Sequence, residues 1–70
     1  MAPRQLGENL RELREAKGLT PEQLADRAQV SVSFITILEG GQEGGRPALA
    51  ILQRLARVLG VHVSKLTETT

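Results

Sequence analysis

The sequence predicts a single all-α domain of five short helices, and three observations carry that expectation. Leucine and alanine recur at three- and four-residue spacings through most of the chain. Phe34 is the only aromatic residue, and Ala, Val, Ile, Leu, Met and Phe make up 40% of the sequence, a usage that suits a leucine-built bundle better than a sheet. Glycine and proline stand where helices end and begin. Seventy residues bury too little surface for two cores, so residues 1–70 read as one domain, with an ordered span of about 5–66 and frayed termini.

Leu6, Leu10, Leu13 and the small Ala16 share a helical face, and Gly18 stands at the left-handed cap that would end the first helix. Thr20-Pro21-Glu22-Gln23 follows at once. It supplies an N-cap threonine, a proline at the first helical position and a glutamine three residues after the cap, the components of a capping box. The second helix starts there and runs through Leu24, Ala25 and Ala28. Ser31 is the next N-cap, and Phe34, Ile35 and Leu38 place a third helix over about residues 32–39. Only Gln29 to Ser31 separate the two, too few residues for an antiparallel pair, so they cross steeply as a helix-turn-helix.

Gly40, Gly41, Gly44 and Gly45 then form a loop rich in positive-φ positions, and Pro47 opens a fourth helix. Leu49, Leu52, Leu55, Ala56 and Leu59 give it an apolar stripe, and Gly60 closes it. Val61, Val63 and Leu66 make a short fifth segment, capped by Ser64 or by the residues before it.

Several function classes fall away on composition. There is no cysteine, which removes disulfides, thiolate zinc sites and a cysteine nucleophile together. No metal-ligand spacing is present and no cofactor is implied. His62 is the only histidine and has no catalytic set near it in sequence, so it reads as a surface residue and the chain as no enzyme. The glycine loop lacks both a preceding strand and a following Gly-Lys-Ser/Thr. No apolar run is long enough for a signal peptide or membrane span, and a soluble, cytoplasmic protein without a membrane partner is expected. The formal net charge is +1, so any attraction to a polyanion must be local. Seven of the nine basic residues are arginine. Arg11, Arg14 and Lys17 share the first helix with Glu8, Glu12 and Glu15, a pattern that reads as a solvated face with pairs such as Arg11/Glu15.

The stretches LGENLRELREAKGLTPEQLADRAQVSVSFITILEGG and RPALAILQRLARVLGVHVSKL cover almost the whole chain. In order, spacing and punctuation they resemble the XRE-like family of helix-turn-helix domains, the phage repressor and Cro type. The resemblance implies a compact five-helix, lambda repressor-like domain that binds double-stranded operator DNA, usually as a homodimer, with the third helix in the major groove. It further implies that Val32, Ser33, Thr36 and Ile37 face the groove, while Phe34, Ile35 and Leu38 turn to the core. Phosphates would be met by Thr20, Gln23 and backbone N–H groups at the start of helix two, and by Gly41, Gln42 and Arg46 in the loop. Structural roles carry over too: Ala25 is the small residue where helix two meets helix three, Ile35 plugs the core, and Arg14 and Glu39 match a pair that joins helix one to the end of helix three.

Four positions depart from the family pattern. Pro21 stands where glutamine is frequent, which removes one side-chain contact to DNA. Gln29 replaces the usual turn glycine and implies a left-handed backbone at a cost of about 1 kcal/mol. The loop reads GGQEGG where basic residues are usual, and Glu43 repels phosphate. Ala48 offers no cap where serine is frequent.

Residues 31–45 contain no lysine or arginine, so readout at the four groove positions rests on thymine methyl groups against Val32 and Ile37 and on the hydroxyls of Ser33 and Thr36. None of these side chains makes a bidentate grip on a base. Affinity then depends on backbone contacts, on Arg11, Arg27 and Arg46, and on dimerisation. Val61, Val63 and Leu66 are the candidates for a dimer face, though all three can equally complete the monomer core. A transcriptional repressor is the leading expectation. Two others stand beside it: a protein-binding module that presents Val32 and Ile37 beside Gly40 and Gly41 as an apolar patch, and the N-terminal module of a longer ligand-sensing regulator.

Overall fold

The computed structural model describes residues 6–41 and 47–67. Five helices follow in order, α1 Leu6–Ala16, α2 Pro21–Ala28, α3 Val32–Glu39, α4 Leu49–Leu59 and α5 Ser64–Thr67, and the described residues contain no strand. Among them no helix is long and apolar enough to cross a membrane.

Local chemistry accounts for most of the boundaries. At the end of α1, Gly18 adopts φ +74°, its N–H donates to the Glu15 carbonyl at 3.0 Å, and the Leu19 N–H donates to the Arg14 carbonyl at 3.1 Å. This paired closure recurs after α2, where the Val30 N–H reaches the Ala25 carbonyl, and after α4, where the Val61 N–H reaches the Ala56 carbonyl. The left-handed residue is Gly60 after α4 but Gln29 after α2, at φ 60° and ψ 46°. At the start of α2 the capping box is complete: Thr20 Oγ1 accepts from the Gln23 N–H at 3.1 Å and Gln23 Oε1 accepts from the Thr20 N–H at 2.9 Å. Ser31 Oγ accepts from the Phe34 N–H at 3.0 Å and so opens α3.

The later elements differ from the sequence reading. Pro47 does not open α4, because Ala48 takes the N-cap position with no side-chain bond and the helix begins at Leu49. Leu49 is 60% exposed, so the buried stripe starts at Leu52. Ala16 is exposed as well. Of the two capping options before α5, the structure takes the residues preceding Ser64: His62 Nδ1 receives the Ser64 N–H at 3.1 Å, and Ser64 is the first residue of the helix. In the loop after α3, Gly40 has φ −80° and Gly41 φ +70°; Gly44 and Gly45 lie outside the described residues.

Every helix sends at least one fully buried side chain into a single core: Leu10 from α1, Leu24 from α2, Ile35 and Leu38 from α3, Leu55 from α4 and Leu66 from α5. Burial of each stabilises the fold by about 2 kcal/mol. Leu66 therefore completes the monomer core and is unavailable to a dimer face; Val61 and Val63 pack on the core while remaining partly exposed. A side-chain bond reinforces this closure, with Asn9 Nδ2 of α1 donating to the Leu66 carbonyl at 2.8 Å.

Candidate nucleic-acid interface

The placement of α3 begins with its buried side. Arg14 Nε donates to Glu39 Oε2 at 2.7 Å and Arg14 Nη2 to Glu39 Oε1 at 3.0 Å, a two-point grip from α1 onto the last residue of α3. Nη1 of the same guanidinium donates to the Leu19 carbonyl at 2.8 Å. Only 9% and 10% of the two side chains are exposed, so Arg14 does not belong to the solvated face that the charge pattern of α1 suggests. The hydrogen bond to Glu39 raises the arginine pKa above its ordinary value, against the lowering effect of burial. A carboxylate at a helix C-terminus opposes the helix dipole, and the guanidinium offsets that repulsion.

Gly7 completes the clamp. A β-carbon at Gly7 would collide with the Leu38 carbonyl oxygen and lie 3.0 Å from that of Glu39. Only a glycine lets the backbone of α1 lie this close to the end of α3. Nothing in the helical spacing of residues 6–16 reports this constraint, which depends on a neighbour more than thirty residues away.

On its opposite side α3 presents Val32, Ser33, Thr36 and Ile37, all exposed, with Val32 at 39% and Ile37 at 45%. Phe34 is half-buried against the core, and Ile35 and Leu38 are buried in it. These four positions thus form one outward stripe. Their hydrogen-bonding capacities are unequal. Thr36 Oγ1 donates to the Val32 carbonyl at 3.0 Å, which leaves its hydroxyl as an acceptor and its methyl group as an apolar contact. Ser33 keeps the hydroxyl able to donate.

The start of α2 has donors of two kinds. Thr20 and Gln23 are exposed, and the capping box uses the Thr20 N–H, the Gln23 N–H and Gln23 Oε1. The Thr20 hydroxyl proton and the Gln23 side-chain NH2 remain available to an anion. Pro21 has no N–H, so Glu22 supplies the backbone donor of this first turn. Beside it, Arg11, Pro21, Thr36 and Gly40 line a 260 Å³ cleft with the Arg14–Glu39 pair. Arg11 is exposed, 3.6 Å from Glu15, and brings a cation to the edge of the α3 stripe. The two remaining arginines named from sequence divide differently: Arg27 lines a separate hollow beside α4, and Arg46 lies outside the described residues, as do Gln42 and Glu43. Gly41 is exposed, but its N–H donates to the Leu38 carbonyl at 3.1 Å and is spent within the turn. Among the described residues no group of three or more His, Cys, Asp or Glu side chains could hold a metal ion.

Comparison with known proteins places the chain in a family and matches its fold. The family described as a helix-turn-helix domain matches residues 5–68. The chain is 43% identical over 63 residues to the HTH-type transcriptional regulator DdrOP3 of Deinococcus deserti, covering 90% of this chain and 47% of that protein. It is 38% identical over 65 residues to the uncharacterized HTH-type transcriptional regulator y4dJ of Sinorhizobium fredii, covering 91% and 82% respectively. The crystal structure of SinR, a master regulator for biofilm formation from Bacillus subtilis, in complex with DNA superposes with a TM-score of 0.86 at 26% identity, over 91% of this chain and all of that one. The chain spans about half the length of the first two curated relatives it matches, at 47% and 54%.

Proposed function

Because the chain belongs to the helix-turn-helix domain family, we propose that it is a DNA-binding transcriptional regulator, a repressor that occupies its operator with α3 in the major groove. The observation that carries this reading is the outward stripe of Val32, Ser33, Thr36 and Ile37 on a helix clamped from behind by Arg14 and Gly7. Support also comes from the regulators it is similar to and from the DNA in the SinR crystal. In this reading Val32 and Ile37 lie on thymine methyl groups, Ser33 donates to a base edge, and Thr36 accepts from one. Thr20, Gln23 and Arg11 meet phosphates on either side and set the register. Gln42 and Arg46 extend these contacts along the loop.

A weakly discriminating face of this kind needs a doubled footprint, which favours a homodimer through Val61 and Val63. Such a protein works in the cytoplasm, on its own or as the DNA-binding module of a longer regulator. Selection from a randomised duplex pool at two salt concentrations tests the assignment. Ser33→Ala is expected to change preference at one base position, and Arg11→Ala to weaken all sites alike and flatten the salt slope by about one phosphate contact. A second reading rests on the exposure of Val32 and Ile37: the same stripe docks a partner protein. Failure of the wild-type chain to retain any duplex at either salt concentration would remove the DNA assignment and leave that one, whereas equal retention by both variants would remove only Ser33 and Arg11 from the contacts.

A further inference from the structure

Away from the α3 stripe, Arg27 at the end of α2 and Arg54 and Arg57 of α4 line a hollow of 220 Å³, with Ala28, Gln29 and Val58 completing its wall. Three of the seven arginines of the chain meet here, and among the described residues no carboxylate lines the space. Among the described residues none of these three arginines takes part in an ion pair. Arg54 carries a further sign of incompleteness. Its Nε is shielded from solvent and has no hydrogen-bond partner, whereas nearly all buried donors in folded proteins are paired.

Three like charges gathered over the apolar surfaces of Ala28 and Val58 repel one another, and an anion between them relieves both that repulsion and the unpaired donor. The planar fork of a guanidinium uses Nε together with one Nη against two oxygens. Arg54 lines the hollow, and its Nε–H is the donor left without a partner. A phosphate dianion carries a charge of about −2 near neutral pH and three acceptor oxygens, which matches three cationic forks better than a single-charge carboxylate does. The hollow is small beside the roughly 300–1,000 Å³ of drug-sized sites, so it suits a phosphate group on a short carrier. A duplex lying on α3 is a poor source for that phosphate, because no residue of α3 and neither Thr20 nor Gln23 lines the space.

We propose that Arg27, Arg54 and Arg57 form an oxyanion site for a phosphate dianion, either free or as the monoester of a small metabolite. The test is a nitrogen-15 NMR titration of the 70-residue chain with inorganic phosphate and, separately, glycerol phosphate, against acetate and chloride at matched ionic strength. Saturable movement of the Arg54 and Arg57 Nε–H signals and of the Gln29 and Val58 amides is expected with the phosphates alone. Tighter saturation by glycerol phosphate assigns the site to a metabolite, and tighter saturation by inorganic phosphate assigns it to the free ion. Arg54→Gln and Arg57→Gln are each expected to weaken binding by about tenfold or more. The wild-type titration decides the matter even if a variant unfolds. An Arg54 Nε–H that fails to move, one that responds equally to acetate, or shifts confined to residues 32–37 would overturn the proposal.

Discussion

The two sides of α3 are built on opposite terms. Toward α1 the helix is fixed by a backbone approach that admits no β-carbon and by a nearly buried, bidentate Arg14–Glu39 pair. Toward solvent it carries two partly exposed aliphatic side chains and two hydroxyls, one of which is bonded within the helix itself. In the proposed reading, stability and recognition fall to different residues of one eight-residue helix. The clamped side is expected to tolerate little change, whereas the open side is free to vary with the sequence being recognised.

Glu39→Ala attacks the comparison most directly, because it leaves a buried guanidinium short of its partner. A loss of about 3 kcal/mol in urea unfolding is expected, with DNA binding weakened through the misplaced helix. The arginine pKa is raised by this pairing, so its part in stability is fully present below the ordinary arginine range and is lost only as pH climbs through the raised value. The stability difference between the wild-type chain and Glu39→Ala is therefore expected to hold constant through neutral and mildly alkaline pH in the same urea unfolding measurement.

Gly7→Ala is a test of sign. Alanine in a helix interior ordinarily gains about 1 kcal/mol over glycine, but overpacking against a backbone that cannot yield costs about 1–3 kcal/mol. Because the obstacles are the Leu38 and Glu39 carbonyls, net destabilisation is expected, and a stabilised variant would show that α1 stands further off. Gln29→Gly acts on the turn that leads into α3. It removes the left-handed strain of Gln29 and is expected to raise stability by about 0.5–1 kcal/mol, as a higher melting temperature.

The smallest expected change sharpens the comparison from the open side. Val32→Ala and Ile37→Ala should each alter unfolding free energy by no more than about 0.5 kcal/mol, while changing affinity at thymine-bearing positions of the operator. A large stability loss in either would place these side chains in the core and collapse the distinction.

The helices were legible in the sequence wherever a backbone requirement has a residue signature. Thr20-Pro21-Glu22-Gln23 wrote the start of α2, Ser31 that of α3, and Gly18 and Gly60 the ends of α1 and α4. The choice of Val32, Ser33, Thr36 and Ile37 on α3 rests on the family resemblance, and all four are exposed opposite the buried Ile35 and Leu38. What escaped depends on distant neighbours. Gly7 looks like a weak helix former until the Leu38 carbonyl is placed beside it. The charge pattern of α1 groups Arg14 with exposed residues, and only the family resemblance pairs it with Glu39, the contact the structure contains. Leu49 continued the α4 stripe by spacing, yet it falls on the first turn, before the helix reaches the core. The hollow of Arg27, Arg54 and Arg57 joins positions that no local pattern connects.

The bond from Asn9 to the Leu66 carbonyl spans 57 positions and joins the first helix to the last. Since Leu66 also fills the core, the contacts of α1 are complete only when residue 66 is in place. A chain truncated before that residue is expected to lose this tie between its first and last helices and to be cut more readily by proteases.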